Sequence, residues 1–391
     1  MKAILKILVS VFWLFSLFNP LKSQEVAVSL FYDQLTNSMT FNCAESEYVI
    51  MENGKEIIRI SKGQIVFIDI EDDKVRLSDE EGILGLYSSL FFKDVYLKGK
   101  FILRTISPGS RQRLYDGELK INIEHGVFKI INRTEFDQYL AGVVESEAGV
   151  GAPEEFFKTQ AVLCRTYAIK NWNRHINEGF NLCDETHCQV FHGISDENPR
   201  ILEAVLSTHN IVIADKNYQL ITAAYHSNSG GETQKADNVW PGKHEYLLPI
   251  IDPFSENQPN SKWEEKLDVE VWKGYLLAKG IEVDELNDEE LLIKQNHRKV
   301  FFPIGEDTIR IPDVRQDLGF RSSFFNMTQA DSTVIINGRG YGHGIGLSQE
   351  GGMEMARQGY SYTDILRYYY YDIQIRDLNE LPESSVPSVF R

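Results

Sequence analysis

Cysteine is scarce: Cys43, Cys164, Cys183 and Cys188 are the only four in 391 residues. That is too few to build a scaffold of this size from disulfides. Basic charge is in deficit too, with 40 Lys and Arg against 57 Asp and Glu and a formal net charge of −17. A nucleic-acid partner needs a basic footprint, so this balance argues against one. The apolar run from Ile7 to Phe18 falls short of the roughly 20 residues a spanning helix needs. There is no G-x-S-x-G elbow for a serine hydrolase and no H-E-x-x-H zinc motif. Internal repeats and long Pro/Gly/Ser linkers are missing as well.

What is present begins with a leader pattern. Lys2 and Lys6 precede the apolar run, Asn19-Pro20 breaks it, and Lys22-Ser23-Gln24 follows. This reads as a secretory signal at 1–23 with a cut near Ser23. No cysteine stands near the cut, which speaks against a lipoprotein. The expectation is an exported protein of the periplasm, cell envelope or extracellular space. Hydrophobic residues make up 42% of the chain, with 18 Tyr and 22 Phe among them. That supports a large core and two or three domains. Aromatics also suit sugar rings, although the first reading of any single one is core packing.

The pattern predicts a mixed α+β protein with a β-rich start. Short Val/Ile/Tyr/Phe segments at Glu47–Met51, Ile57–Ile60, Gln64–Ile70, Val95–Leu97 and Phe101–Thr105 read as strands. Asn53-Gly54, Lys62-Gly63 and His125-Gly126 read as hairpin turns. A helix starts with Pro153 at its first position, and Phe157, Ala161, Cys164, Ala168 and Trp172 form its buried face. Trp263–Lys279, Ser348–Gln358 and Tyr362–Tyr370 read as helical.

Four segments can carry chemistry. In the first, an apolar stretch from Tyr139 ends in Glu145 and Glu147 at a Gly-rich turn. The two carboxylates share a side if the segment is extended and diverge if it is helical. The second holds His175, Cys183, His187 and Cys188, compatible either with a tetrahedral zinc site or with a Cys183–Cys188 disulfide. The third, Tyr225-His-Ser-Asn-Ser-Gly-Gly-Glu-Thr233, reads as a polar turn lining a cleft. The fourth, Gly338 to Gln349, alternates glycine with Arg339, Tyr341, His343 and Ile345. If extended, it shows those four in a row above a bare backbone.

Taken in order, these segments resemble the stage II sporulation protein D / amidase enhancer (SpoIID/LytB) family. The resemblance rests on Tyr139-Leu…Gly142-Val-Val…Glu147, Lys158-x-Gln160…Arg165-Thr-Tyr-Ala168 and Cys188-Gln-Val…Gly193. It continues in Tyr225-His-Ser-x-Ser-Gly-Gly-x-Thr233, Val239-Trp240, Arg315-x-x-Leu-Gly-x-Arg-Ser-Ser323 and Gly338-Arg-Gly-Tyr-Gly-His-Gly-Ile-Gly-Leu-Ser-Gln349. It implies a mixed α/β catalytic core over 111–378, between a β-rich region at 24–110 and a tail at 379–391. It also implies lytic transglycosylation of peptidoglycan glycan strands stripped of their peptides, with Glu147 as the catalytic residue. The alternative is a non-catalytic, glycan-binding enhancer of a cell-wall amidase. A structural zinc is implied near Cys183 and Cys188, with His175 as the third ligand named. The family's Met-Pro pair after the glutamate is Ala148-Gly149 here. Gln160, Arg165, His226, Ser227, Ser229, Arg339, Tyr341, His343 and Gln349 are the residues expected to bind substrate, with Arg165 or Arg339 meeting the carboxylate of muramic acid.

Overall fold

The computed structural model describes residues 24–195, 198–287 and 289–391, so the expected leader lies outside the described residues. Twelve strands come first: β1 (Glu25–Leu30), β2 (Ser38–Glu45), β3 (Glu47–Glu52), β4 (Lys55–Ser61), β5 (Ile65–Glu71), β6 (Lys74–Ser78), β7 (Ile83–Tyr87), β8 (Ser89–Asp94), β9 (Lys100–Ser107), β10 (Arg113–Asp116), β11 (Glu118–Glu124) and β12 (Val127–Glu135). Their side chains alternate, as in β2, where Met39, Phe41 and Cys43 point inward. Two sheets face each other across that apolar layer. One runs β10-β9-β2-β5-β6-β7, and the other β1-β12-β11-β8-β3-β4. Phe41 of the first stacks on Phe92 of the second at 4.5 Å between ring centres. The boundary expected at 110 falls between β9 and β10, which pair antiparallel in one sheet.

Asn53-Gly54 and His125-Gly126 turn their hairpins with positive φ at both residues. Lys62-Gly63 turns the chain without making a hairpin, because β4 and β5 enter different sheets. Val95–Leu97 is not a strand. The Asp94 carboxylate accepts the N–H groups of Tyr96 and Gly99 and bends the chain there, while the extended run is the preceding β8.

Helix α1 (Phe136–Ala148) follows β12 directly. Its buried Phe136, Tyr139, Leu140, Val143 and Val144 recur at helical spacing, so the stretch left open above is helical. Next come α2 (Glu154–Lys170), the short β13 (Leu182–Cys183) beside β1, α3 (Pro199–Ser207), β14 (Ile211–Ala214) and β15 (Tyr225–His226). Pro153 caps α2 instead of opening it, and the expected face of α2 is buried.

A second body with its own core follows: β16 (Lys262–Asp268), α4 (Val269–Ala278), β17 (Phe301–Ile304), β18 (Asp307–Arg310), α5 (Ile311–Leu318), β19 (Phe325–Ala330) and β20 (Thr333–Arg339). Trp263, Trp272, Phe325 and Ile336 are among the side chains that fill it. The helix expected over Trp263–Lys279 begins only at Val269. Residues 262–268 pair along their whole length with β20, and Asp268 then caps α4. The chain returns to the main core through β21 (Leu347–Ser348), α6 (Gln349–Arg357), α7 (Tyr362–Tyr369) and β22 (Gln374–Asp377). There β21 lies parallel to β15, and β22 pairs with β14. Beyond it, Phe390 stacks edge-on against Phe136 and Trp172. The molecule is α+β. No helix among the described residues is long and apolar enough to cross a membrane.

Candidate active site and metal-binding group

Glu147 occupies the last turn of α1 and lines a cavity of about 500 Å³. Its Oε1 accepts the backbone N–H of Val190 at 3.2 Å. Burial raises its pKa above the ordinary value, and the bonds from Val190 and the Tyr225 hydroxyl only partly oppose this. The negative end of α1 acts in the same direction as burial. The remaining walls come from the 222–226 stretch, Tyr167, Thr186, Cys188, Trp240, Arg315, Gly342 and His343. Among the described residues lining this cavity, Glu147 is the one carboxylate. Glu145 points elsewhere, since two helical residues differ by roughly 200°. Its carboxylate takes the Ser195 hydroxyl.

The glycine-alternating segment is not an extended row. Gly340, Gly342, Gly344 and Gly346 all have positive φ, so the chain coils between them. Ile345 is buried while Tyr341 is 45% exposed. Bare backbone lets the 224–230 stretch pack directly on it: a Cβ on Gly346 would lie 2.1 Å from the Ala224 carbonyl oxygen, and one on Gly340 2.5 Å from that of Asn228. This contact brings His226 and His343 together, ring centres 5.5 Å apart. His226 donates from Nδ1 to the Ile345 carbonyl at 3.1 Å, and its buried Nε2 has no protein partner. His343 accepts the Ile345 N–H on Nδ1 at 3.0 Å. Burial, with Arg315 adding repulsion, pushes the His343 pKa down to about 4. Burial and His343 likewise hold His226 well below its ordinary value. Both rings are neutral near pH 7.

The remaining expected substrate-binding residues divide. Gln349 donates to the Glu147 carbonyl oxygen at 3.2 Å and so ties α6 to the end of α1. Tyr341 lies in an adjoining cavity. Arg165 is elsewhere: it is buried, donates to the carbonyls of Val205, Thr208 and Ile211, and lies 3.7 Å from Asp137. Every one of those partners is structural, so Arg165 joins α2 to α3. Ser229 is buried and bonded to Asp252 and Ser255 at 2.7 Å each. Ser227 accepts from Asn260 at 3.2 Å. Gln160 is buried and donates to the Cys164 sulfur at 3.5 Å. Arg339 lies 3.6 Å over the Phe324 ring and donates to the Gln295 carbonyl. None of these five lines the Glu147 cavity. Tyr225, Trp240 and Arg315 do, and the sequence reading had not assigned them to the site. The available signal was their position inside the motif stretches quoted above.

His175, Cys183, His187 and Cys188 converge, their ligand atoms all within 4.8 Å of one another. His187, which the resemblance did not name as a ligand, stands with His175 and the two cysteines. The two cysteines are free thiols and not a disulfide. The His175 Nε2 faces the Cys188 sulfur at 3.5 Å, while its Nδ1 meets the Glu178 carboxylate at 2.6 Å. A carboxylate behind a histidine is the usual outer support of a metal ligand. Two thiols and two imidazoles in this space form a potential metal-binding group. Cys188 also lines the Glu147 cavity, two residues before the Val190 N–H.

A family model described as stage II sporulation protein, SpoIID, matches residues 124–214, which contain Glu147 and all four potential ligands. The chain is 28% identical over 258 residues to stage II sporulation protein D of Bacillus subtilis (strain 168), covering 62% of this chain and 74% of that protein. To stage II sporulation protein D of Bacillus amyloliquefaciens it is 25% identical over 289 residues, covering 69% and 83%. To the amidase enhancer of Bacillus subtilis (strain 168) it is 28% identical over 284 residues, covering 59% of this chain and 39% of that protein. With the quoted motifs gathered around one cavity, these matches support a relationship of the chain to the stage II sporulation protein D / amidase enhancer (SpoIID/LytB) family.

Proposed function

We propose that the protein is a lytic transglycosylase that cleaves peptide-stripped peptidoglycan glycan strands between N-acetylmuramic acid and N-acetylglucosamine. The names of its relatives support a cell-wall-related role and, with it, an exported or envelope location. The observation that carries the enzymatic reading is the single carboxylate on the cavity. A glycosidase that uses water normally needs two carboxylates. One suffices when the sugar supplies its own nucleophile. Glu147, kept protonated by burial, gives its proton to the glycosidic oxygen as the bond to C1 breaks. Its carboxylate then takes the proton of the C6 hydroxyl as that oxygen bonds to C1, closing a 1,6-anhydro ring. The catalytic unit in this reading is 111–378, with 24–110 as the β-rich N-terminal region and 379–391 as the tail.

His175, Cys183, His187 and Cys188 would hold a zinc ion. Four protein ligands close its coordination, which suits a structural ion that fixes the loop beside Glu147. The test is to incubate wild type and Glu147→Gln with peptide-stripped glycan strands and analyse the products by mass spectrometry. Anhydro-muramic ends from wild type alone are expected, with a rate loss of about 10²–10⁴-fold in the variant. Reducing ends would mean hydrolysis and overturn the mechanism. The similarity to an amidase enhancer favours a second reading, a glycan-binding partner that stimulates a cell-wall amidase. Stimulation of an amidase by Glu147→Gln, with no glycan cleavage by wild type, would establish it.

A further inference from the structure

Beside the Glu147 cavity lies a second one of about 660 Å³, and the two share Trp240, Arg315 and His343. Arg321 and Tyr341 line its far part. The Arg321 guanidinium lies 5.9 Å from the centre of the Tyr341 ring. Arg315 spends only its Nε on the protein, donating to the Arg321 carbonyl at 3.4 Å. Among the described residues no carboxylate pairs with Arg315 or Arg321. Arginines elsewhere do meet carboxylates, as in Arg59–Glu47, Arg76–Asp69 and Arg113–Asp184. In a chain of net charge −17, two adjacent unpaired cations on one cleft are a local reversal of sign. Half-burying Arg315 without an anion costs stability, and a bound anion would recover it. A planar guanidinium matches a carboxylate in two parallel hydrogen bonds.

We propose that this second chamber is a subsite for a carboxylate-bearing sugar, with the ring against Trp240 and Tyr341 and the carboxylate on Arg315 and Arg321. The assignment rests on the glycan-strand reading and deepens it. It replaces Arg165, whose guanidinium is committed to backbone carbonyls.

The experiment measures binding to the full chain carrying Glu147→Gln, so that no probe is consumed. Three probes of equal length are compared: peptide-stripped glycan, the same glycan with its carboxylates methyl-esterified, and an uncharged N-acetylglucosamine oligomer. A fourth, glycan bearing stem peptides, separates a sugar carboxylate from a peptide one. The stripped glycan is expected to bind about tenfold or more tightly than its ester, as for a charge-assisted pair. Adding Arg315→Gln should abolish that preference and leave the uncharged oligomer's affinity unchanged, which also shows that the variant folds. Arg321→Gln, on the exposed rim, should reduce the preference by about threefold and serves if Arg315→Gln does not fold. An Arg315-dependent preference seen only with stem peptides would assign the carboxylate to the peptide and overturn the sugar subsite. Equal binding of glycan and ester, or a preference that survives both substitutions, overturns the proposal. Charge-selective binding in a chain whose wild type cuts no glycan would defeat the transglycosylase reading and leave this one standing.

Discussion

Glu147 feels burial, the carboxyl end of α1, the Val190 backbone N–H and the Tyr225 hydroxyl, and the first of these dominates. Its native pKa lies above the ordinary 4.5, so the native state binds the proton more tightly than the unfolded chain. Below the ordinary value both states are protonated and the stabilisation is fully present. It is lost as pH rises through the native value. Glu147→Gln carries no such slope. Its melting temperature should therefore gain on wild type from about pH 4 upward and level off above the native pKa. A constant difference across pH would contradict the shift. Glycan cleavage should fall on the alkaline side of the same pKa, because the donor must be protonated. Arg165 makes the opposite prediction. Arg165→Met leaves Asp137 with His209 alone and takes a donor from three carbonyls, and should cost about 1–3 kcal/mol in urea unfolding. A loss under 1 kcal/mol with impaired glycan binding would return Arg165 to the site.

Among the elements, the glycine-alternating segment behaves least like its pattern. Period two suggested a strand with one decorated face. Positive φ at Gly340, Gly342, Gly344 and Gly346 bends the chain so that it presses backbone to backbone on the 224–230 stretch. Gly346→Ala adds a methyl where there is no room, in a conformation that L-residues avoid. It should cost roughly 2–4 kcal/mol, read from thermal or urea unfolding. Gly126→Ala is the control, because nothing lies within 4 Å of its added Cβ although φ is also positive. Its loss should be only the roughly 1–2 kcal/mol of the conformation. Equal losses at the two sites would deny the close packing at 346.

Across the whole molecule, the four potential ligands stand where the sandwich meets the helical layer. Cys183 lies in β13 alongside β1, and Asp184 accepts the Phe31 and Tyr32 N–H groups while pairing with Arg113. Cys188 leads to the segment that touches Glu147. A zinc ion held there would link both layers, and its binding energy would add to folding energy. Elemental analysis should give one zinc per chain. Chelation should lower the melting temperature, and added zinc should restore it. No bound metal and no effect of chelator would leave the cluster as a packing feature.

Elements whose signal is local were legible from the residues alone. The α2 face, the Asn53-Gly54 and His125-Gly126 turns, and helices α6 and α7 follow from periodicity, caps and turn residues, which act over a few positions. Short spacing also marked the Cys/His cluster, whereas Glu147 was singled out only by the family resemblance and not by its own spacing. Trp263–Asp268 reads as helix because a strand held by β20, 65 to 75 residues away, leaves no helix-breaking mark in its own residues. Only the tertiary structure separated Glu147 from Glu145, buried Arg165 among carbonyls, joined His187 to His175, and put Arg315 on the cleft. The reason is contact range. Glu147 meets Val190 across 43 positions and Gln349 across 202. Which side chains share a cavity is set by how distant layers pack, and a linear pattern carries that information only through the fold.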